Sequence, residues 1–107
     1  MRYQIDLYDM ALVTYIAEGN SLTYAAERVH ISLPAVSTRI RNLEEGLGVK
    51  LLHRTRQGVT LTEPGVKFLR HAQKMLMQLE NLRDDMRQYS ESAKATLRIW
   101  ATATAVT

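Results

Sequence analysis

The side chains able to do chemistry in this sequence fall into two sets. The first is three histidines, His30, His53 and His71, among scattered carboxylates. Acid–base or metal chemistry needs such groups to converge at fixed spacings, and the spacings do not cooperate. No His-Glu-x-x-His, Gly-x-Ser-x-Gly elbow or phosphate-cradling glycine loop is present, and Gly46-Leu47-Gly48 is only a helix terminator. No catalytic residue, metal site or resident cofactor is expected. The absence of cysteine excludes disulfides, thiolate metal sites and a thiol nucleophile together, and fits a reducing cytoplasm.

The second set is hydroxyls at helix starts, together with arginines. Ser21 and Ser32 each precede an apolar helical repeat, where free backbone N–H groups and the helix dipole both point at an anion. Thr23 follows the first; Leu33, Pro34, Ala35, Ser37, Thr38 and Arg41 follow the second. Arg54, Thr55 and Arg56 lie further on. Hydroxyls hydrogen-bond to phosphates or base edges, and arginine clamps phosphate or guanine. Taken singly, a capping serine is a cap and a basic turn is a solvated turn; only the assembled pattern carries weight.

Charge is distributed to match. Up to Glu27 the chain sets Arg2 against Asp6, Asp9, Glu18 and Glu27, whereas from Arg28 to Leu61 six bases face only Glu44 and Glu45. The overall balance is +3, so placement matters more than size. With 107 residues, 46% of them hydrophobic, the chain suffices for one domain with an extension and excludes a multidomain enzyme. No apolar run is long enough to cross a bilayer or to act as a signal peptide, so no membrane partner is expected.

The elements that must position these residues are mainly helical. Met10, Val13, Ile16 and Ala17 repeat at helical spacing over Asp6 to Glu18, until Gly19-Asn20 stops them. Ser21 caps a short second helix with Leu22, Ala25, Ala26 and Val29 on one face. After the turn at His30-Ile31, Ser32 caps a third, with Pro34 in its first turn and Val36, Ile40, Leu43 and Leu47 inward. That wheel turns Pro34, Thr38, Arg41 and Glu45 outward, with Ser37 on the flank. Two β-prone runs, Val49 to Leu52 and Val59 to Leu61, predict a hairpin whose loop carries Arg54 and Arg56.

Thr62 then caps a long helix reaching about Ser92. In it Phe68, Ala72, Met75, Leu79, Leu82, Met86 and Tyr89 alternate four-and-three spacing, a seam that asks for a partner helix. Val66, Leu69 and Leu76 form a second stripe, available to pack on the first three helices. Leu97 to Trp100 and the Ala-Thr alternation after it predict one strand without a companion, which implies a fragment cut just inside a second domain.

Two short helices joined by a tight turn and followed by a basic hairpin match a winged helix-turn-helix, whose second helix enters the DNA major groove. The other reading open at this point is a helical protein-interaction or dimerisation module that does not bind DNA.

Across essentially its whole length the chain resembles the LysR-type transcriptional regulators. Ser21 through Ser32, Pro34-Ala35-Val36-Ser37, Ile40-Arg41, Leu43-Glu44 and Leu47-Gly48 look like that family's DNA-binding signature. Leu51-Leu52-His53-Arg54 and Leu61-Thr62-Glu63-Pro64-Gly65 resemble its wing and linker start. Leu33 stands where the family commonly has a base-reading glutamine, and Thr38 where an arginine is frequent.

The resemblance implies a winged helix-turn-helix, an antiparallel dimerising linker helix and a ligand-sensing domain built like a periplasmic binding protein. A threonine near Thr102 or Thr104 would line the effector pocket of a complete protein. The expected organisation is a DNA-binding domain over 1–61, with its helix-turn-helix at 22–41 and wing at 49–61. A linker helix at 62–92 and a tail at 93–107, the first strand of an absent effector domain, complete it. Expected partners are double-stranded DNA and a second copy through the linker helix, with a tetramer as an option for the complete protein. A small-molecule effector and a cytoplasmic location are also expected.

Overall fold

The computed structural model describes residues 5–106, and side chains as far as residue 101. Its elements run α1 (Leu7–Gly19), α2 (Leu22–Val29), α3 (Leu33–Leu47), β1 (Leu52–Thr55), β2 (Gly58–Leu61) and α4 (Glu63–Val106). The mainly helical architecture, with a two-stranded hairpin after the helix core, is the one expected. Two compact units divide it, residues 1–76 and 77–107.

In the first unit α1, α2 and α3 enclose Leu12, Val13, Ile16, Ala25, Ala26, Val36, Ile40 and Leu43, and Leu51, Leu52 and Val59 close the core from the hairpin side. Burying each large aliphatic side chain contributes roughly 1.5–3 kcal/mol. Each helix starts on a side-chain cap: Asp6 accepts from the Asp9 N–H, Ser21 from that of Tyr24 and Ser32 from that of Ala35. Asn20, His30 and Gly48 end the three helices in left-handed geometry. His30 thus serves as a C-cap.

The inward stripe of α1 is rotated by about one residue from the expected one. Asp9, Leu12, Val13 and Ile16 are buried, while Met10 and Ala17 are only half-buried. Asp9 is admitted to the interior because Arg39 of α3 reaches it, Nη2 to Oδ1 3.0 Å. The same guanidinium bonds Asp6 and lies over the Tyr8 ring, 4.3 Å from its centroid.

The hairpin begins later than expected. Val49 to Leu51 are not strand, because the Glu44 carboxylate accepts from the N–H groups of Leu51 (2.7 Å) and Leu52 (3.2 Å) and removes Leu51 from any ladder. Thr62 holds the same stretch from the other side: its hydroxyl donates to the Lys50 carbonyl at 2.6 Å and its N–H to that of Leu51 at 2.9 Å. The antiparallel register pairs Leu52 with Leu61, His53 with Thr60, Arg54 with Val59 and Thr55 with Gly58. Arg54 and Thr55 therefore sit on β1, and the loop shrinks to Arg56-Gln57. Gly58 adopts φ +133°, and a side chain there would press on the Asn20 carbonyl, which accepts the Val59 N–H at 3.2 Å.

Thr62 caps α4 as expected, accepting from the Gly65 N–H at 3.0 Å. The face that α4 turns to the core differs from the expected stripe. Gly65, Phe68 and Ala72 face inward, whereas Val66 is exposed and Leu69 and Leu76 are half-buried. Gly65 sets this rotation, because a Cβ there would occupy the space of the Leu51 carbonyl. Only a glycine lets the helix approach so closely.

The second unit is the remainder of α4. Helix continues to Val106 where a strand was expected from Leu97. Among the described residues no strand is available to pair with that segment. Helix satisfies its backbone internally, and after Gly65 the sequence has neither Gly nor Pro to stop it. Thr96 bonds back to the Ser92 carbonyl at 3.0 Å, a helical habit. The side chains of Thr102 and Thr104 lie outside those described.

Candidate nucleic-acid interface

The outward face of α3 holds what the wheel placed there. Leu33, Pro34, Thr38, Arg41 and Glu45 are exposed; Ala35 and Ser37 are half-buried at the flank. Ser32 is an exposed cap whose oxygen accepts from Ala35 at 3.2 Å, leaving its O–H able to donate. Ser21 is a half-buried cap of the same kind, accepting from Tyr24 at 3.1 Å, and Thr23 beside it is exposed. Both serines cap, as their types alone favoured.

The hairpin adds cations. Arg54, Thr55 and Arg56 are exposed. The Thr55 hydroxyl donates to the Gly58 carbonyl at 3.2 Å and so closes the turn. Among the described residues Arg41, Arg54 and Arg56 form no ion pair. The neighbouring arginines differ: Arg39 is bound to Asp6 and Asp9, and Arg28 lies over the Tyr24 ring at 4.9 Å. Between Arg28 and Leu61, the arginines without such a partner are thus those on α3 and the hairpin.

Arg41 and Arg54 line one open groove of about 470 Å³, with Glu44, Lys50, Leu52 and His53. Sequence reasoning left Lys50 and His53 out of the site and gave Glu44 no role. The available signal was Glu44 itself, an acid four residues after Ile40 on the inward stripe of an amphipathic helix. Such an acid needs buried partners, and it finds them in the backbone N–H groups of Leu51 and Leu52.

The proposed dimer seam is divided in use. Ala72 is fully buried in its own unit and Phe68 packs on the core, so neither is open to a partner. Met75, Leu82, Met86 and Tyr89 are exposed and Leu79 is half-buried. Among the described residues no three His, Asp or Glu side chains gather to hold a metal ion, and no helix is long and apolar enough to cross a membrane.

Residues 7–66 match the family described as bacterial regulatory helix-turn-helix protein, lysR family. The chain belongs to the LysR family. The match covers α1 through the first turn of α4, the span that carries the exposed α3 face and the cationic groove. Among curated relatives, the LysR-type chain is 35% identical over 101 residues to the transcriptional activator IlvY of Salmonella typhimurium, covering 94% of this chain and 34% of that one.

Two solved structures of LysR DNA-binding domains on DNA are similar to it. The CbnR domain–DNA complex shares 30% identity with a TM-score of 0.74, covering 80% of this chain and 99% of that one. The BenM domain bound to catB site 1 DNA shares 30% identity with a TM-score of 0.76, covering 80% and 97%. The chain spans only about 30% of the length of the curated LysR relatives it matches.

Proposed function

We propose that this chain is the DNA-reading part of a transcriptional regulator and performs no chemistry of its own. The observation that carries the reading is the pair Arg41 and Arg54: exposed, free of ion-pair partners among the described residues, and lining one groove between α3 and β1. DNA attracts such cations by releasing condensed counterions. The likeness to CbnR and BenM domains solved in complex with DNA supports duplex binding by this one.

In this reading α3 enters the major groove. Ser32, Leu33, Pro34, Ala35, Ser37 and Thr38 meet base edges or the adjoining backbone, and Arg41 lies at the groove's edge. Ser21 and Thr23 approach a phosphate at the start of α2. Arg54, Thr55 and Arg56 lie over the adjacent minor groove or its backbone. Two copies joined through Met75, Leu79, Leu82, Met86 and Tyr89 bind a dyad-symmetric site, which adds avidity. The longer protein is cytoplasmic, senses a small molecule through a further domain, and assembles as a dimer or tetramer.

Footprinting on duplex DNA with a salt titration tests this. Arg41→Ala and Arg54→Ala should each weaken binding and lower the salt slope by about one, with sedimentation unchanged. Duplex binding indifferent to salt and to both substitutions would overturn the reading in favour of a helical interaction module.

A further inference from the structure

The inward stripe of α3 runs one turn further in the sequence than it does in the fold. Leu33 stands three residues before Val36 and seven before Ile40, in helical register with both, yet burial begins only at Val36. Leu33 is 43% exposed and belongs neither to the core nor to the side chains packed against it. Among the described residues of α2 and α3 it is the one large apolar side chain left exposed.

Its backbone is held firmly. The Ser32 hydroxyl accepts from the Ala35 N–H at 3.2 Å and the Ser32 carbonyl from the Val36 N–H at 3.1 Å, which closes the first turn around Leu33. Pro34 stiffens the same turn, its ring fixing φ. Ser32 and Pro34 are exposed on either side of Leu33. The leucine is therefore continuous with the surface assigned above to the duplex.

The chemistry of that side chain narrows what it can meet. Leucine has no charge for a phosphate and no donor or acceptor for a base edge. Almost everything a base pair presents in the major groove is a donor or an acceptor; the apolar exception is the C5-methyl group of thymine. An isobutyl group set against a donor or acceptor removes its water and returns no hydrogen bond. Set against a methyl group, both partners gain by leaving water. Helices that enter the major groove touch base edges with their N-terminal residues, and Leu33 is the first residue of α3.

We propose that Leu33 is a specificity-determining residue whose side chain seats on the C5-methyl group of one thymine in each bound half-site. The proposal rests on the duplex-binding reading above and deepens it by naming a base that α3 selects. Because the contact is apolar, it adds sequence preference without adding to the salt dependence.

The test replaces each thymine of the footprinted duplex in turn by deoxyuridine, which lacks only that methyl group, and measures affinity for the 107-residue chain and for Leu33→Ala. Leu33 lies outside the core, so the variant should fold, and circular dichroism checks that it does. In the unmodified chain one thymine per half-site should prove sensitive, its replacement weakening binding about fourfold, the worth of one methyl group withdrawn from water. Leu33→Ala should bind the all-thymine duplex more weakly, be indifferent to deoxyuridine at that position, and keep the salt slope of the unmodified chain.

No thymine sensitive to loss of its methyl group, or a sensitivity undiminished in Leu33→Ala, overturns the contact while leaving duplex binding intact. A lower salt slope in Leu33→Ala also overturns it, since the residue would then be positioning a phosphate contact. Failure of the unmodified chain to bind duplex at all overturns the underlying reading, and the role of Leu33 with it.

Discussion

Arg39 on α3 and Asp9 on α1 are joined by a 3.0 Å ion pair in which the carboxylate is 1% exposed and the guanidinium about a third exposed. The contact bridges the first helix to the one that carries the outward-facing residues. It also withdraws Arg39 from any encounter with an anion, although this arginine stands two residues from Arg41. A buried carboxylate survives only with such a partner, because desolvation of a lone charge outweighs the packing around it.

Removing one partner should therefore cost more than removing both. Arg39→Gln is expected to destabilise the fold by about 2 kcal/mol, below the roughly 3–5 typical of fully buried pairs because Arg39 is partly solvated. Asp9→Asn combined with Arg39→Gln should lose less than the two single losses added together. Urea denaturation of the four proteins checks this, and strict additivity would deny the coupling.

Asp6 adds a pH dependence of known sign. The Asp9 amide that its side chain accepts, and next the Arg39 charge, hold its carboxyl below the ordinary 3.8, although some burial acts in the opposite direction. The stabilisation is complete above 3.8 and is lost as pH falls through the lower folded value. Asp6→Asn keeps an N-cap but has no proton to gain there. Its melting temperature should fall short of the unmodified chain's at neutral pH and approach it in acid.

Gly65→Ala pits two effects against each other. Alanine improves helix propensity by about 1 kcal/mol, yet its methyl would meet the Leu51 carbonyl, which Thr62 holds in place. Overpacking should win, with a net loss of about 2 kcal/mol. A thermal melt showing a more stable variant would mean that α4 can turn away from the core freely.

Leu79→Asp should convert dimer to monomer in sedimentation, since a carboxylate in an apolar helix seam has no partner. Ala72→Asp should instead unfold the first unit, because that position is buried in its own chain. If Leu79→Asp leaves the sedimentation coefficient unchanged, the seam is not the contact between copies.

The three short helices, their serine caps, the outward face of α3 and the cap of the fourth helix were legible because each rests on local spacing and cap chemistry. What escaped depends on groups distant in sequence. The apolar spacing of α1 assigns Asp9 no place in the core, and it is Arg39, thirty residues on, that admits it there. The first strand starts later than its β-prone run predicts because Glu44 and Thr62 claim that backbone, and α4 turns a different face to the core because Gly65, in sequence an ordinary first-turn residue, packs against the Leu51 carbonyl. The alternation from Leu97 to Thr107 predicts strand, but it loses meaning without a neighbouring strand to pair.

Glu44 joins α3 to the start of β1 through a carboxylate on two backbone amides, at the foot of the groove between them. A rigid splint of this kind means that the two cationic surfaces cannot drift apart before a duplex arrives. The ordering entropy of assembling them is met when the chain folds and does not weaken the encounter. Loosening that splint should therefore slow productive docking even where every residue that touches the double helix is unchanged.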